Sequence, residues 1–168
     1  MRVCFFCLIL LLIARNAWSG DLGSDTGEDR PLLEYLKGEA TENHFFLGMA
    51  TWHFNPKSRR IRNWDQNLVG FQYKDFFVAT FENSFYNRTW TVGLARNLST
   101  AELSDSWDTT FGYRLGLIYG YSDGEAPFSS ISPVIPMVEI YNQYLFKKHY
   151  GLELMLTTSI SVSFFYQF

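Results

Sequence analysis

Two polar residues, His53 and Ser84, are of the types that acyl-transfer chemistry needs, and Asn83 directly precedes Ser84. A histidine can accept the proton of a hydroxyl group, and a serine can act on an acyl carbonyl as a nucleophile or a hydrogen-bond donor. Their spacing alone is not diagnostic, because both residue types are common and the chain has no Gly-x-Ser-x-Gly nucleophile elbow. Whether they form a site depends on the elements that position them.

The last nine residues have the alternation of a β-strand with one apolar face. Every second residue is apolar, namely Ile160, Val162, Phe164, Tyr166 and Phe168. Ser161, Ser163 and Gln167 occupy the other face, which only Phe165 interrupts. Transmembrane barrels turn such an apolar face towards lipid and keep the polar face inside. The last strand of a soluble sandwich is the alternative interpretation.

Eight segments of the chain have strand character: Phe45–Phe54, Leu68–Tyr73, Phe76–Ser84, Thr89–Leu98, Thr109–Tyr121, Val134–Tyr144, Tyr150–Thr158 and Ile160–Phe168. Lys74-Asp75 is predicted to be a tight turn between the second and third strands. The sequence therefore predicts an all-β fold, an eight-stranded antiparallel transmembrane β-barrel. The interior of such a barrel holds side chains or one slim ligand.

The amino-terminal region has the pattern of a secretory signal peptide. Met1-Arg2 is basic, residues 3–14 are apolar, and a cleavage-like segment precedes Gly20. We predict a signal peptide over residues 1–19, which holds both cysteines and leaves the mature chain without thiols. Residues 20–42 then form a polar segment and a short amphipathic helix, and residues 43–168 form the barrel. This helix either packs on the end of the barrel or lies on the membrane.

The strand order predicts where the polar residues lie. A secreted amino terminus starts in the periplasm, so odd-numbered strands run outwards, and His53 and Ser84 come to the outer ends of the first and third strands. The longer external loops are then Asn55–Asn67 and Ser122–Pro133. The first loop contains four cations, which either bind phosphate groups or are merely solvated: Lys57, Arg59, Arg60 and Arg62.

The composition restricts the function classes. The net charge is −3 and no basic-aromatic RNA motif is present, which argues against a nucleic-acid partner. The 18% content of aromatic residues suits the interface girdles of a membrane barrel. His44, His53 and His149 are scattered without metal-ligand spacing, so we expect no metal and no other cofactor.

Four patches of the chain resemble the lipid A palmitoyltransferase family. They occur in the family's order over roughly residues 31–168: Ala50–Phe54, Thr80–Phe85, Ser132–Met137 and Phe165–Phe168. The resemblance implies an eight-stranded outer-membrane barrel with an amino-terminal helix, which moves an acyl chain from a phospholipid to lipid A of the lipopolysaccharide. It maps the family's required residues onto His53, Asn83 and Ser84. Asn83 stands where the family has Asp, so a role that needs a negative charge is in doubt, although an amide can still orient a partner.

The resemblance also implies two roles outside the polar cluster. Pro133 and Pro136 would weaken the start of the sixth strand, because proline donates no ladder hydrogen bond, and would admit lipid from the side. Gly93 and Ala95 would form the floor of an acyl pocket. A methyl group at this floor would shorten the preferred chain below palmitate, and Ala95→Gly would lengthen it.

Three functions remain open on the sequence. The leading one is a lipid A acyltransferase, which we expect to be a monomer, and a lipid A deacylase would use the same residue types with water as acceptor. A structural or adhesive barrel without enzymatic activity is the third. An apolar lumen would favour acyl binding, whereas a charged, salt-bridged lumen would favour the structural barrel.

Overall fold

The computed structural model describes residues 32–157 and 159–168, so the predicted signal peptide lies outside the described residues. Eight antiparallel strands close into a barrel in chain order, which confirms the predicted fold class. The strands are β1 His44–His53, β2 Val69–Tyr73, β3 Phe76–Glu82, β4 Arg88–Ser104, β5 Trp107–Tyr119, β6 Val134–Phe146, β7 Tyr150–Leu156 and β8 Ser159–Gln167. Within the described residues two short helices accompany them, α1 Leu32–Lys37 and α2 Pro56–Ile61.

Most predicted boundaries lie within two residues of those observed, and two differences stand out. Strand β4 continues to Ser104 rather than ending at Leu98, because its polar final residues pair with the start of β5, as in Thr100 with Thr110. The loop after β1 contains α2, which the sequence analysis did not predict. The Asn55 side chain caps this helix by accepting from the Lys57 backbone N–H at 2.9 Å.

The barrel wall separates an apolar exterior from a mixed interior. On β8, Ser161, Ser163 and Phe165 are buried inside while Phe164 and Tyr166 are exposed, which confirms the predicted alternation. The outward positions of the other strands also expose large apolar side chains, among them Phe71, Val78, Trp90, Val92, Leu117, Val138 and Leu152. Among the described residues, no helix is both long and apolar enough to cross a membrane.

The two ends of the barrel differ. We call the end where β1, β3, β5 and β7 finish the mouth end, and the opposite end, which carries α1, the helix end. The Arg96 guanidinium donates to the carbonyl oxygens of Lys37 (2.9 Å) and Gly38 (3.1 Å), and the Tyr113 hydroxyl donates to that of Leu36 (2.8 Å). Helix α1 is therefore attached to the end of the barrel, which is one of the two positions that the sequence analysis considered. Tyr35 and Leu36 stay exposed, so contact of α1 with a membrane remains a prediction.

Candidate functional site

A cavity of about 570 Å³ occupies the mouth half of the barrel interior. We call it the lumen cavity. Its size falls in the range of small-molecule pockets, about 300–1,000 Å³. Its walls are largely apolar, with apolar side chains from five strands and the segment before β2: Phe46, Met49, Leu68, Phe77, Ala79, Phe81, Ile118, Ile135, Met137 and Met155. It can therefore hold a hydrocarbon chain that enters from the mouth end.

His53 lies at the mouth of the lumen cavity. It is the last residue of β1 and faces inwards, because alternate residues share a face and Thr51 is buried inside. The Nε2 atom of His53 is buried and has no hydrogen-bond partner among the described residues. A buried polar atom without a partner is costly, which is consistent with a site that a substrate group completes.

Ser84 borders the same cavity in the turn that follows β3. Its Oγ accepts a hydrogen bond from Gln66 Nε2 at 3.0 Å, and its carbonyl oxygen accepts from the Asn63 N–H at 3.0 Å. The hydroxyl proton of Ser84 is thus left to donate to a ligand. Within the described part of the chain, no hydrogen bond joins Ser84 to His53. The two groups therefore act most simply on two different atoms of a bound substrate, rather than as a preformed Ser–His pair.

Asn83 is fully buried beside Ser84, but its side chain is used to hold the turn. Its Nδ2 donates to the Gly120 carbonyl oxygen at 3.1 Å. Its Oδ1 accepts from the backbone N–H groups of Phe85 (2.8 Å) and Asn87 (3.1 Å). These contacts give Asn83 a positioning role for the turn that carries Ser84, and direct action on a substrate stays a prediction.

Only one of the four predicted phosphate contacts reaches the cavity. Arg62 lines its mouth, whereas the Arg59 guanidinium lies 4.6 Å from the centre of the Trp52 ring on the barrel exterior. Lys57 and Arg60 are exposed on α2 and do not border the cavity. The loop therefore places a single cation beside His53 and Ser84.

Pro136 lies in a part of β6 that is paired on one side only. The β6–β7 ladder runs from Ile140 to Phe146, whereas residues 134–139 pair with β5 and have no ladder partner towards β7 among the described residues. Pro136 is opposite Leu117 of β5 and also borders the cavity. Pro133 is exposed immediately before β6. The wall is thus unpaired towards β7 over the stretch that contains Pro136, and lateral access of lipid there stays a prediction.

Gly93 and Ala95 both belong to the inward face of β4, but neither borders the cavity among its described lining residues. A Cβ atom at Gly93 would collide with the Leu115 carbonyl oxygen, so glycine there permits the close approach of β4 and β5. Ala95 is fully buried and packs with Tyr141 and Met155. Met155 does line the cavity, so Ala95 lies one layer behind its wall.

An ion-pair cluster forms the floor of the cavity instead. Arg114 donates to Glu139 at 2.7 Å and to both oxygens of Glu153 at 2.8 and 2.7 Å. Gln143 also donates to Glu153, at 2.7 Å. The Arg114 guanidinium lies 4.6–5.4 Å from three aromatic ring centres, those of Phe46, Phe77 and Tyr141.

The sequence analysis missed Arg114, Gln66 and Tyr121. Arg114 lies on the inward face of one predicted strand, and Glu139 and Glu153 lie in two others. These opposite charges were a visible signal for the Arg114 cluster. Tyr121 borders the cavity just after β5, and burial, together with the charge of Glu125, raises the pKa of its hydroxyl. It therefore stays a neutral hydrogen-bond donor at physiological pH. No local signal places Gln66 on Ser84, because a folded loop makes that contact.

Comparisons with known proteins do not place this chain in a family: no family model matches it, and no curated protein matches it either.

Proposed function

We propose that this protein is an outer-membrane acyltransferase that moves a fatty acyl chain from a phospholipid to lipid A. One observation carries the proposal: an apolar cavity inside the barrel has His53 and Ser84 together at its mouth. An acyl chain in the cavity would leave its ester carbonyl at this mouth. The order of the four sequence patches that resemble the lipid A palmitoyltransferase family supports the same activity.

The apolar exterior supports a place in a membrane. Outward-facing Phe, Val, Leu and Trp side chains on successive strands would be costly in water, at about 25 cal/mol per Å² of apolar surface. Lipid removes this cost. The predicted signal peptide directs the chain out of the cytoplasm, and the bacterial outer membrane is where barrels of this kind reside.

The reaction that fits the site needs no cofactor. The acceptor hydroxyl of lipid A gives its proton to His53 Nε2 as its oxygen attacks the donor carbonyl carbon. The Ser84 hydroxyl donates to the carbonyl oxygen, where negative charge develops. The ester C–O bond to the lysophospholipid then breaks, and the departing oxygen takes the proton from His53.

The unpaired length of β6 offers a route for the donor. A phospholipid in the surrounding leaflet could insert its acyl chain between β6 and β7, where Pro136 and Met137 border the cavity. The chain would then not need to leave the apolar phase. This route is part of the proposal.

A structural barrel is the second candidate, and the Arg114 cluster favours it. Two ion pairs tie β5 to β6 and β7 across the interior, which is the salt-bridged lumen expected of a barrel that merely fills its core. This cluster lies at the floor of the cavity, and the mouth half keeps an open space whose walls are largely apolar but include Thr51, Gln66 and Ser161. We therefore rank the acyltransferase first.

Mass spectrometry of lipid A from cells with and without the protein tests the proposal. The acyltransferase adds one acyl chain to lipid A. Removal of one chain would indicate a deacylase, and an unchanged lipid A would favour the structural barrel.

A further inference from the structure

We infer that Arg62 forms a phosphate-binding subsite at the mouth of the lumen cavity, for the phosphate group of a lipid substrate. The inference rests on the proposed function, because it assigns the headgroup end of the same substrate-binding site. It goes further by selecting one residue out of a loop with four cations.

The fold holds Arg62 in a defined place. It follows α2 directly, and its backbone N–H donates to the Ser58 carbonyl oxygen at 2.9 Å. The centre of its guanidinium lies 3.3 Å from the centre of the Phe85 ring, so the ring covers one face of the cation. A guanidinium stacked in this way keeps its edge N–H groups, which match the oxygens of a phosphate in pairs.

The charge of Arg62 has no acidic partner among the described residues. By contrast, Arg96 pairs with Asp75, and Arg114 pairs with two glutamates. Glu125 also borders the cavity, but its carboxylate accepts from Asn87 Nδ2 at 2.9 and 3.1 Å. It further accepts from the Ser122 N–H at 2.8 Å. A half-buried, unpaired cation at the rim of an apolar cavity fits a ligand that joins a hydrocarbon chain to an anion.

Arg62 is also next to the groups proposed to react. It lines the same cavity mouth as His53, and the following residue, Asn63, donates its backbone N–H to the Ser84 carbonyl oxygen. A phosphate bound here would therefore orient the lipid within reach of both residues. Both lipid A and phospholipids carry such a phosphate.

Binding of two matched amphiphiles tests the subsite without requiring catalysis. Dodecyl phosphate and dodecanol share a hydrocarbon chain and differ in the phosphate. We expect the wild-type barrel, in a neutral maltoside detergent, to bind dodecyl phosphate roughly 10- to 100-fold more tightly, as charge-assisted hydrogen bonds warrant. R62Q should lose this preference, and R62K should retain part of it.

Arg60→Gln is the matched control, because Arg60 belongs to the same loop but does not border the cavity. It should retain the full preference. Loss of the preference in R60Q as well, or its persistence in a folded R62Q, would overturn the subsite. Retention of the wild-type gel shift on boiling establishes that R62Q is folded.

Steady-state transfer then distinguishes the two sources of phosphate. Acceptors are lipid A with and without its phosphates, and donors are phosphatidylglycerol and diacylglycerol. If R62Q raises the KM only for phosphorylated lipid A, the subsite binds the acceptor. If R62Q raises the KM only for phosphatidylglycerol, the subsite binds the donor. KM values unchanged for all four substrates would overturn the assignment to a substrate. Absence of transfer by the wild type would refute the proposed function and leave the binding result standing.

Discussion

At the scale of single residues, three side-chain atoms of the described residues are buried without a hydrogen-bond partner, and only one of them, Nε2 of His53, belongs to a residue that borders the cavity. A structural histidine would have its buried nitrogens paired, as His44 does with Gln72 and Gln167, both at 3.1 Å. His53 has no such partner at Nε2 among the described residues, and it faces a cavity with Ser84 across the mouth. A substrate hydroxyl would supply the missing partner.

His53→Ala and Ser84→Ala should each abolish most acyl transfer and leave the barrel folded. Loss of a positioned proton acceptor or donor costs roughly 10²- to 10⁴-fold in rate. The double variant should lose roughly the product of the two single losses, because the two groups act on different atoms of the substrate and not as one hydrogen-bonded pair. Acyl chains on lipid A are measured by mass spectrometry, and gel mobility with and without boiling reports folding. Normal transfer by both single variants would exclude this site.

Asn83→Asp should destabilise the protein rather than activate it. The Nδ2 group donates to the Gly120 carbonyl oxygen, and a carboxylate there would place two acceptors against each other. The expected loss is about 1–3 kcal/mol in the free energy of unfolding, measured with urea in detergent. Asn43→Asp is the matched control, because Asn43 Oδ1 accepts from the Lys74 backbone N–H at 2.9 Å and an aspartate keeps this acceptor. Higher transfer activity in Asn83→Asp would support the family's carboxylate role instead.

At the scale of elements, the strands act together to set the depth of the cavity. Arg114 on β5, Glu139 on β6 and Glu153 on β7 meet across the interior and end the apolar space. Ala95 pairs with Arg114 in the β4–β5 ladder but lies behind Met155. A hydrocarbon chain that enters from the mouth would therefore stop at the ion-pair cluster, not at the Ala95 methyl group.

The chain-length preference should consequently respond to the cluster and not to Ala95. We expect R114A/E139Q/E153Q, which leaves no unpaired buried charge, to accept longer acyl chains than the wild type. Arg114→Ala alone would strand two glutamates at a cost of about 3–5 kcal/mol and is the less useful variant. The lengths of the transferred chains are measured by mass spectrometry of lipid A.

Ala95→Gly is the control for this experiment, and here it should leave the length profile unchanged. The family resemblance predicted the opposite for this variant. A longer chain in Ala95→Gly, with no change in the triple variant, would restore Ala95 as the floor.

At the scale of the whole molecule, the barrel reverses the polarity of a water-soluble protein. Apolar side chains cover the strands outside, and charged and amide side chains fill the helix half inside. Closure pairs β1 with β8 and removes the exposed sheet edges that lead to aggregation. We therefore expect this molecule to need lipid or detergent over its exterior, as the proposed membrane location implies.

The protein should fractionate with outer membranes and resist extraction by high salt. In cold detergent it should stay folded and migrate differently before and after boiling, because a closed barrel unfolds as one unit. Membrane fractionation and gel electrophoresis provide the measurements. Quantitative release as a soluble protein at high salt would contradict the membrane assignment.

The sequence by itself determined the barrel and its two faces. Alternation with a period of two is a local property, so β8 and most other strands could be located, and the strand directions brought His53 and Ser84 to one end. The tight turn at Lys74-Asp75 was predictable for the same reason, and the structure has Lys74 at φ 51°.

Only the tertiary structure decided which side chains meet. The contacts of Gln66 with Ser84 and of Arg62 with Phe85 depend on the path of a loop that contains an unpredicted helix. The position of the Arg114 cluster at the floor depends on the stagger of neighbouring strands. This stagger determines which side chains face each other across the lumen. Such contacts join residues far apart in the chain, and no local pattern encodes their distances. The residue types therefore suggested the proposed chemistry, and only the closed barrel showed which of them border one cavity.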